Sequence, residues 1–465
     1  MRFCFLLPFI LFCTTYNPIY GQSNIADRID ELITKQLPSS SEVGISVYNL
    51  STQQEIYNHN GNKLSRPAST LKLITAVTAL DREIPPFETS LWYNGVIENN
   101  VLYGDIYVVG GFDPEFDESR MDRLVSKINQ LPIQKIHGNI YGDVSLKDSL
   151  YWGHGWAWDD NPNSYQPYLS PLMYNKGKVT VVAQPTQAGS PAIVSVTPKS
   201  SYYSVINTTA SNSPSEDKFK VTRDWMNNQN TILVYGNVDR YRKVSLNMHN
   251  SSLFFIHTFY EKIINSGIQI EGGYDLKSIE LGKETEELDR IKTPIYNVLK
   301  EMLKESDNLN AEATLHQLGR LSKDKHIGAE DGIAYIDTLI QKLGHLPGMY
   351  RVVDGSGLSA YNAISPDLLV SFLKYSYTNK AIYNVLEKTL PISGIDGTLA
   401  YRMKNSQAYK KIKAKTGTIT FISGLAGYAT NNKGQLLAFA ILNQNILKGS
   451  QARRFQDAVC QILCE

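Results

Sequence analysis

Cysteine is scarce, with four in 465 residues, and two of them, Cys4 and Cys13, fall close to the N-terminus. The other pair, Cys460 and Cys464, lies four apart on a helical pattern. That spacing puts both on one face without favouring a mutual disulfide, whose geometry is tight, so buried apolar thiols are expected. There is no CxxC, no HExxH and no His/Cys cluster at zinc spacing, so neither a metal nor another cofactor is implied. G-x-S-x-G is also missing and the eight histidines are scattered, which argues against a Ser-His-Asp hydrolase. The net charge is only +1, which gives a nucleic-acid partner no support. After the first apolar run, Phe3 to Phe12, no stretch approaches the roughly 18 apolar residues that a transmembrane helix needs.

What is present begins with a leader. Arg2, the short apolar run and small or polar residues up to Gly21 read as a signal peptide cleaved after Gly21. Pro8 weakens an uncleaved anchor, and Phe12 stands where a lipoprotein signal before Cys13 needs a small residue. The length favours two or three domains. The 28 tyrosines suit half-buried sheet positions first, and a groove for a polar polymer second.

Residues 43–58 predict two strands around a polar turn. Pro67 precedes an apolar helical pattern over 68–81, which stops near Pro85-Pro86. From about 84 to 285, strand-like runs (101–109, 190–197, 231–237, 243–247) dominate and amphipathic helices are few. Helical segments follow at 294–305, 310–320, 329–343 and 366–378. A strand around Lys411 to Thr420, a hairpin turning at Asn431-Asn432-Lys433-Gly434 and a helix from about 449 close the chain. The fold class expected is α/β (α+β). One domain, 22–83 plus 286–465, is interrupted by a β-rich insertion, 84–285, of one or two subdomains.

Three motifs carry chemistry. In Ser69-Thr70-Leu71-Lys72 the lysine lies one helical turn from the serine, where a desolvated amine can take the hydroxyl proton. The same spacing recurs at Ser215/Lys218, Ser322/Lys325 and Ser371/Lys374, so alone it identifies nothing; only Ser69 opens an apolar helix that buries the lysine stem. Ser306-Asp307-Asn308 offers a proton-passing hydroxyl and an amide, or simply an N-cap for the next helix. Lys415-Thr416-Gly417-Thr418 places a cation and two hydroxyls beside a glycine that lets a substrate backbone approach, or is an edge strand guarded by a lysine. In this order and with long spacings, the three together are the pattern of penicillin-recognising serine enzymes.

With those motifs, the chain resembles the D-alanyl-D-alanine carboxypeptidase/endopeptidases, the class C low-molecular-mass penicillin-binding proteins. The resemblance is carried by Arg66 to Lys72, Glu305 to Glu312, Asp354 to Ser359 with Asn362, Gly394 to Leu399 with Arg402-Met403, and Lys413 to Thr418. Gly110 to Pro114 and Gly155 to Asp160 extend it into the inserted region. It implies a penicillin-binding/β-lactamase-like transpeptidase domain with a long insert. It also implies peptidoglycan stem peptides as substrate and β-lactams as inhibitors.

Carried over by position, Ser69 is the nucleophile and Lys72 its base. Ser306 and Lys415 serve the leaving amine, and Asn308 holds the substrate amide. Thr416 and Thr418 bind the terminal carboxylate, Gly417 is the substrate-binding position where the substrate backbone approaches, and Asp160 is a substrate contact. The N–H groups of Ser69 and Thr418 form an oxyanion hole, commonly worth about 3–4 kcal/mol. Ala360 stands where the family usually carries an arginine, which leaves recognition of the stem peptide's third residue open. A periplasmic enzyme is expected, with loose membrane association compatible and oligomeric state open. The rivals are a β-lactamase-like hydrolase of the same fold and a non-catalytic cell-wall-binding protein.

Overall fold

The computed structural model describes residues 24–212 and 217–465. The leader, with Cys4, Cys13 and the cleavage position, lies outside the described residues, as does Ser215.

A five-stranded antiparallel sheet joins the two ends of the chain. Its order is Ile412–Ile419, Ile422–Thr430, Leu436–Gln444, Glu42–Asn49, Gln54–His59. Period-two alternation splits its central strands between two cores. Ala426, Tyr428, Ala438, Ala440 and Leu442 point to a helical layer that holds Leu73, Ile74, Leu315 and Phe372. Leu425, Leu437, Phe439, Ile441 and Ile45 point the other way, to the terminal helices Ile25–Gln36 and Gly449–Leu463. Both faces are covered, which is why these strands read as nearly continuous apolar runs. Cys460 and Cys464 are buried in the second core and free.

The predicted helices at 294–305, 310–320, 329–343 and 366–378 correspond to Ile295–Lys304, Asn308–Gly319, Ala329–Lys342 and Pro366–Thr378. Two features differ from expectation. The segment 68–81 opens as a 3-10 turn, Ala68–Leu71, and becomes α-helical only at Lys72. A further helix, Lys380–Thr389, follows Asn379, whose side chain caps it.

Between these parts lie one seven-stranded sheet and two three-stranded sheets. The helices Glu118–Asn129 and Ser251–Asn265 complete a separate core with Leu124, Ile128, Phe254 and Phe259. The last strand of the larger sheet, Thr285–Thr293, runs past residue 285 because it pairs antiparallel with Phe87–Glu98.

Candidate active site

Three segments converge on one cleft of about 450 Å3, lined among others by Ser69, Asp160, Tyr165, Ser306, Asn308 and Thr418. Ser69 sits in the 3-10 turn, directly after Ala68, whose φ of 47° is left-handed. Such strain in a non-glycine residue persists only where the surroundings impose it, and it concentrates at functional sites. Two backbones crowd this turn, and a Cβ on Gly357 would lie 1.9 Å from the Ala68 carbonyl oxygen. A Cβ on Gly417 would lie 2.8 Å from the Pro67 carbonyl oxygen and about 3 Å from the Thr70 and Ser69 nitrogens. The edge strand Ile412–Ile419 is therefore pressed against the serine turn, and only glycine fits between them. The sequence assigns the space beside Gly417 to substrate; in the structure the backbone of Pro67 to Thr70 fills it.

Lys72 starts the α-helix and is fully buried. Its Nζ lies 3.0 Å from Ser69 Oγ, 2.7 Å from Asn308 Oδ1 and 2.7 Å from the Ser356 carbonyl oxygen. Burial pushes its pKa down to about 8, against the pull of Asp354, Glu312 and Asp307. At pH 7 roughly one molecule in ten then carries the neutral amine. That amine keeps two N–H donors for Asn308 and Ser356 and turns its lone pair to the Ser69 hydroxyl.

Ser306 is the second serine. Its φ of 63° is also left-handed, and its Oγ accepts from Lys415 Nζ at 2.8 Å. Lys415 is fully buried, and desolvation, with Lys72 nearby, holds its amine well below the usual lysine range. Its other acceptor is the Thr416 carbonyl oxygen at 2.7 Å. Asp307 Oδ1 accepts from the Asn310 N–H, so the motif is a helix cap and also supplies two residues to the cleft. Asn308 Nδ2 donates to the Tyr165 carbonyl oxygen at 2.8 Å, which ties the amide to the middle of the chain.

Other predicted residues are less central. The Thr416 hydroxyl donates to Thr398 Oγ1 and is not among the cleft's lining, whereas Thr418 is. Asp160 lines the cleft with its Oδ1 accepting from Tyr165 O–H at 2.6 Å. Ala360 and Arg66 line it too. Lys218, Lys325 and Lys374 of the other S-x-x-K pairs do not line the cleft; Lys374 stacks over Tyr48, and Ser371 donates to the Asp367 carbonyl oxygen.

Beneath Lys72 lies a buried acidic pair to which the sequence gave no role. Glu312 accepts from the Gly355 and Ser356 N–H groups. Asp354 accepts from Gly357 and Ser359 N–H, Asn362 Nδ2 and Trp156 Nε1. Burial, then the charge of Asp354, raises Glu312 to about 8. Its signal was its place four residues after Asn308, one turn along the same helix face. The Tyr165 carbonyl had no signal, because any residue supplies one.

The chain matches the D-Ala-D-Ala carboxypeptidase 3 (S13) family over residues 25–465. It belongs to that family. This S13 chain is 27% identical over 454 residues to D-alanyl-D-alanine carboxypeptidase DacB of Haemophilus influenzae, spanning 93% of this chain and 90% of that one. It is 25% identical to the D-alanyl-D-alanine carboxypeptidase of an Actinomadura species, over 95% of this chain and 85% of the other. The crystal structure of penicillin binding protein 4 from Haemophilus influenzae superposes with a TM-score of 0.82 at 25% identity, covering 94% of this chain and 99% of that one. Bd3459, a peptidoglycan endopeptidase from Bdellovibrio bacteriovorus, shares the fold at 16% identity and a TM-score of 0.53, covering 90% of this chain and 92% of its own. The S13 chain is thus a serine peptidase of mixed α/β penicillin-binding fold. Among the described residues no helix is long and apolar enough to cross a membrane.

Proposed function

We propose that this S13 peptidase cleaves the D-Ala-D-Ala end of cell-wall stem peptides through an ester on Ser69. The observation that carries the assignment is the fully buried Lys72 amine 3.0 Å from Ser69 Oγ, Ser69 being the S-x-x-K serine among the described residues that lines this cleft. Ser69 Oγ attacks the carbonyl carbon of the penultimate D-Ala, and its proton passes to Lys72. The oxyanion forms against the Ser69 and Thr418 N–H groups. The C–N bond then breaks, with a proton delivered to the departing amine through Ser306, which Lys415 holds in place. Water attacks the ester and frees Ser69. Asn308 holds the substrate amide, Thr418 faces the terminal carboxylate, Thr416 reaches it once its hydroxyl leaves Thr398, and Asp160 touches the stem peptide.

A cross-linked peptide presents the same D-Ala carbonyl with a larger leaving amine, so trimming and endopeptidase cleavage share this chemistry. A β-lactam mimics the scissile bond and leaves its ring fragment in the leaving-group position, so acylation is fast and hydrolysis slow. The catalytic unit is assigned to 22–83 and 286–465, with 84–285 as an inserted β-rich region. Action in the periplasm after signal-peptide removal places the enzyme beside its polymer.

The test is release of D-Ala from a pentapeptide ending in D-Ala-D-Ala. The wild type releases it and Ser69→Ala does not; equal release by both would remove Ser69 from the mechanism.

A further inference from the structure

One lysine from the middle of the chain reaches the Ser306-Asp307-Asn308 loop. Lys176 Nζ lies 3.0 Å from Asp307 Oδ2, 3.0 Å from Asn310 Oδ1 and 2.9 Å from Glu115 Oε1. Its side chain is only 17% exposed, so these contacts are largely shielded from solvent. Asn310 Nδ2 returns a hydrogen bond to Glu115 Oε1 at 2.7 Å and another to the Val298 carbonyl oxygen. Glu115 and Lys176, from separate loops, therefore grip the start of the helix Asn308–Gly319 together.

The backbone on both sides of this contact is strained. Asn175 and Lys176 have φ of 48° and 60°, followed by Gly177 at 62°. Opposite them Ser306 has φ of 63°. Left-handed non-glycine residues cost free energy and persist only when something holds them. Asn175 is held by its N–H on the Phe116 carbonyl oxygen and its Nδ2 on that of Lys178. The remaining feature at this bend is the lysine it delivers. Burial alone would raise the Asp307 carboxyl, but Lys176 and the Asn310 N–H outweigh it, so the carboxylate is favoured.

We infer that Lys176 is a positioning residue for acylation: its ion pair with Asp307 fixes the loop so that Ser306 meets Lys415 and Asn308 meets Lys72. Ser306 and Asn308 flank Asp307, and each is bonded to one of the two buried catalytic-site lysines. Release of Asp307 lets both neighbours drift, and a misplacement of about 1 Å can cost on the order of 100-fold in rate. The inserted region thus contributes to the chemistry by holding a loop, without touching substrate. This inference rests on the acyl-enzyme reading above.

The experiment measures acylation of the full chain by a penicillin, separating the non-covalent dissociation constant from the acylation rate constant. Lys176→Met is expected to lower the rate constant by about 10–100-fold with the dissociation constant little changed. Lys176→Arg keeps the cation and is expected to restore most of the rate. Lys176→Met combined with Asp307→Asn removes the charge left unpaired at Asp307, while Glu115 keeps its bond from Asn310 Nδ2, so it decides the matter where Lys176→Met alone does not fold. A folded double variant, or a folded Lys176→Met, that acylates at the wild-type rate would overturn the inference. So would a rate loss that Lys176→Arg leaves uncorrected. If the wild type itself forms no Ser69 adduct, it is the acyl-enzyme reading that fails.

Discussion

Lys415 Nζ lies 2.8 Å from Ser306 Oγ, which joins the edge strand of the five-stranded sheet to the loop before helix Asn308–Gly319. The pair puts a buried amine behind a hydroxyl at the mouth of the cleft. Loss of either partner should slow proton delivery to the leaving group. Ser306→Ala and Lys415→Ala are each expected to lower the acylation rate by about 10²–10⁴-fold. Because the two act through one contact, the double variant should lose little more than the worse single one, as stopped-flow penicillin binding will show.

The pH dependence follows from Lys72. A general base works unprotonated, and the amine loses its proton near pH 8. Acylation should therefore rise with pH through about 8 and level off above it. Burial and Asp354 hold the Glu312 carboxyl up, so it gains its negative charge over the same pH range and then raises the Lys72 pKa; Glu312→Gln should therefore move that limb modestly to lower pH. A limb that stays in place, or moves upward, would remove Glu312 from the electrostatics of the base.

Gly417 has no room for a side chain against the Pro67–Thr70 backbone. Gly417→Ala should force the edge strand away from the Ser69 turn, costing about 1–3 kcal/mol of stability, as overpacking typically does. Acylation should fall more than the stability change explains. Denaturation and acylation measured on one preparation separate the two effects.

Trp156 Nε1 donates to Asp354 Oδ2 at 3.0 Å, and both residues are buried. Trp156→Phe removes the donor and keeps most of the ring. A destabilisation of about 1–3 kcal/mol is expected from the unmet acceptor. Asp354 retains its bonds to Gly357, Ser359 and Asn362, so D-Ala release should change little.

Much of this site could be read from the chain because its elements are local. The strand Ile412–Ile419 and the hairpin after it announce themselves by alternation and by Asn431 to Gly434. The 3-10 turn at Ser69 could not be read, since the backbones packed on it, at Gly357 and Gly417, come from hundreds of positions away. The helix Lys380–Thr389 hid behind Asn379, which ends one helix and caps the next. Two-residue strands such as Lys135–Ile136 have no pattern of their own and form through parallel pairing with distant partners. In the S-D-N segment a cap and a catalytic role looked like alternatives. Asp307 makes the cap while Ser306 and Asn308 enter the cleft, so the two coexist.

The most direct measurement is the intact mass of the protein after penicillin treatment, followed by peptide mapping. One stable adduct per chain, mapped to Ser69 and missing from a folded Ser69→Ala, is predicted. A chain that turns over a chromogenic cephalosporin rapidly without a lasting adduct, or an adduct that persists in Ser69→Ala, would contradict the account.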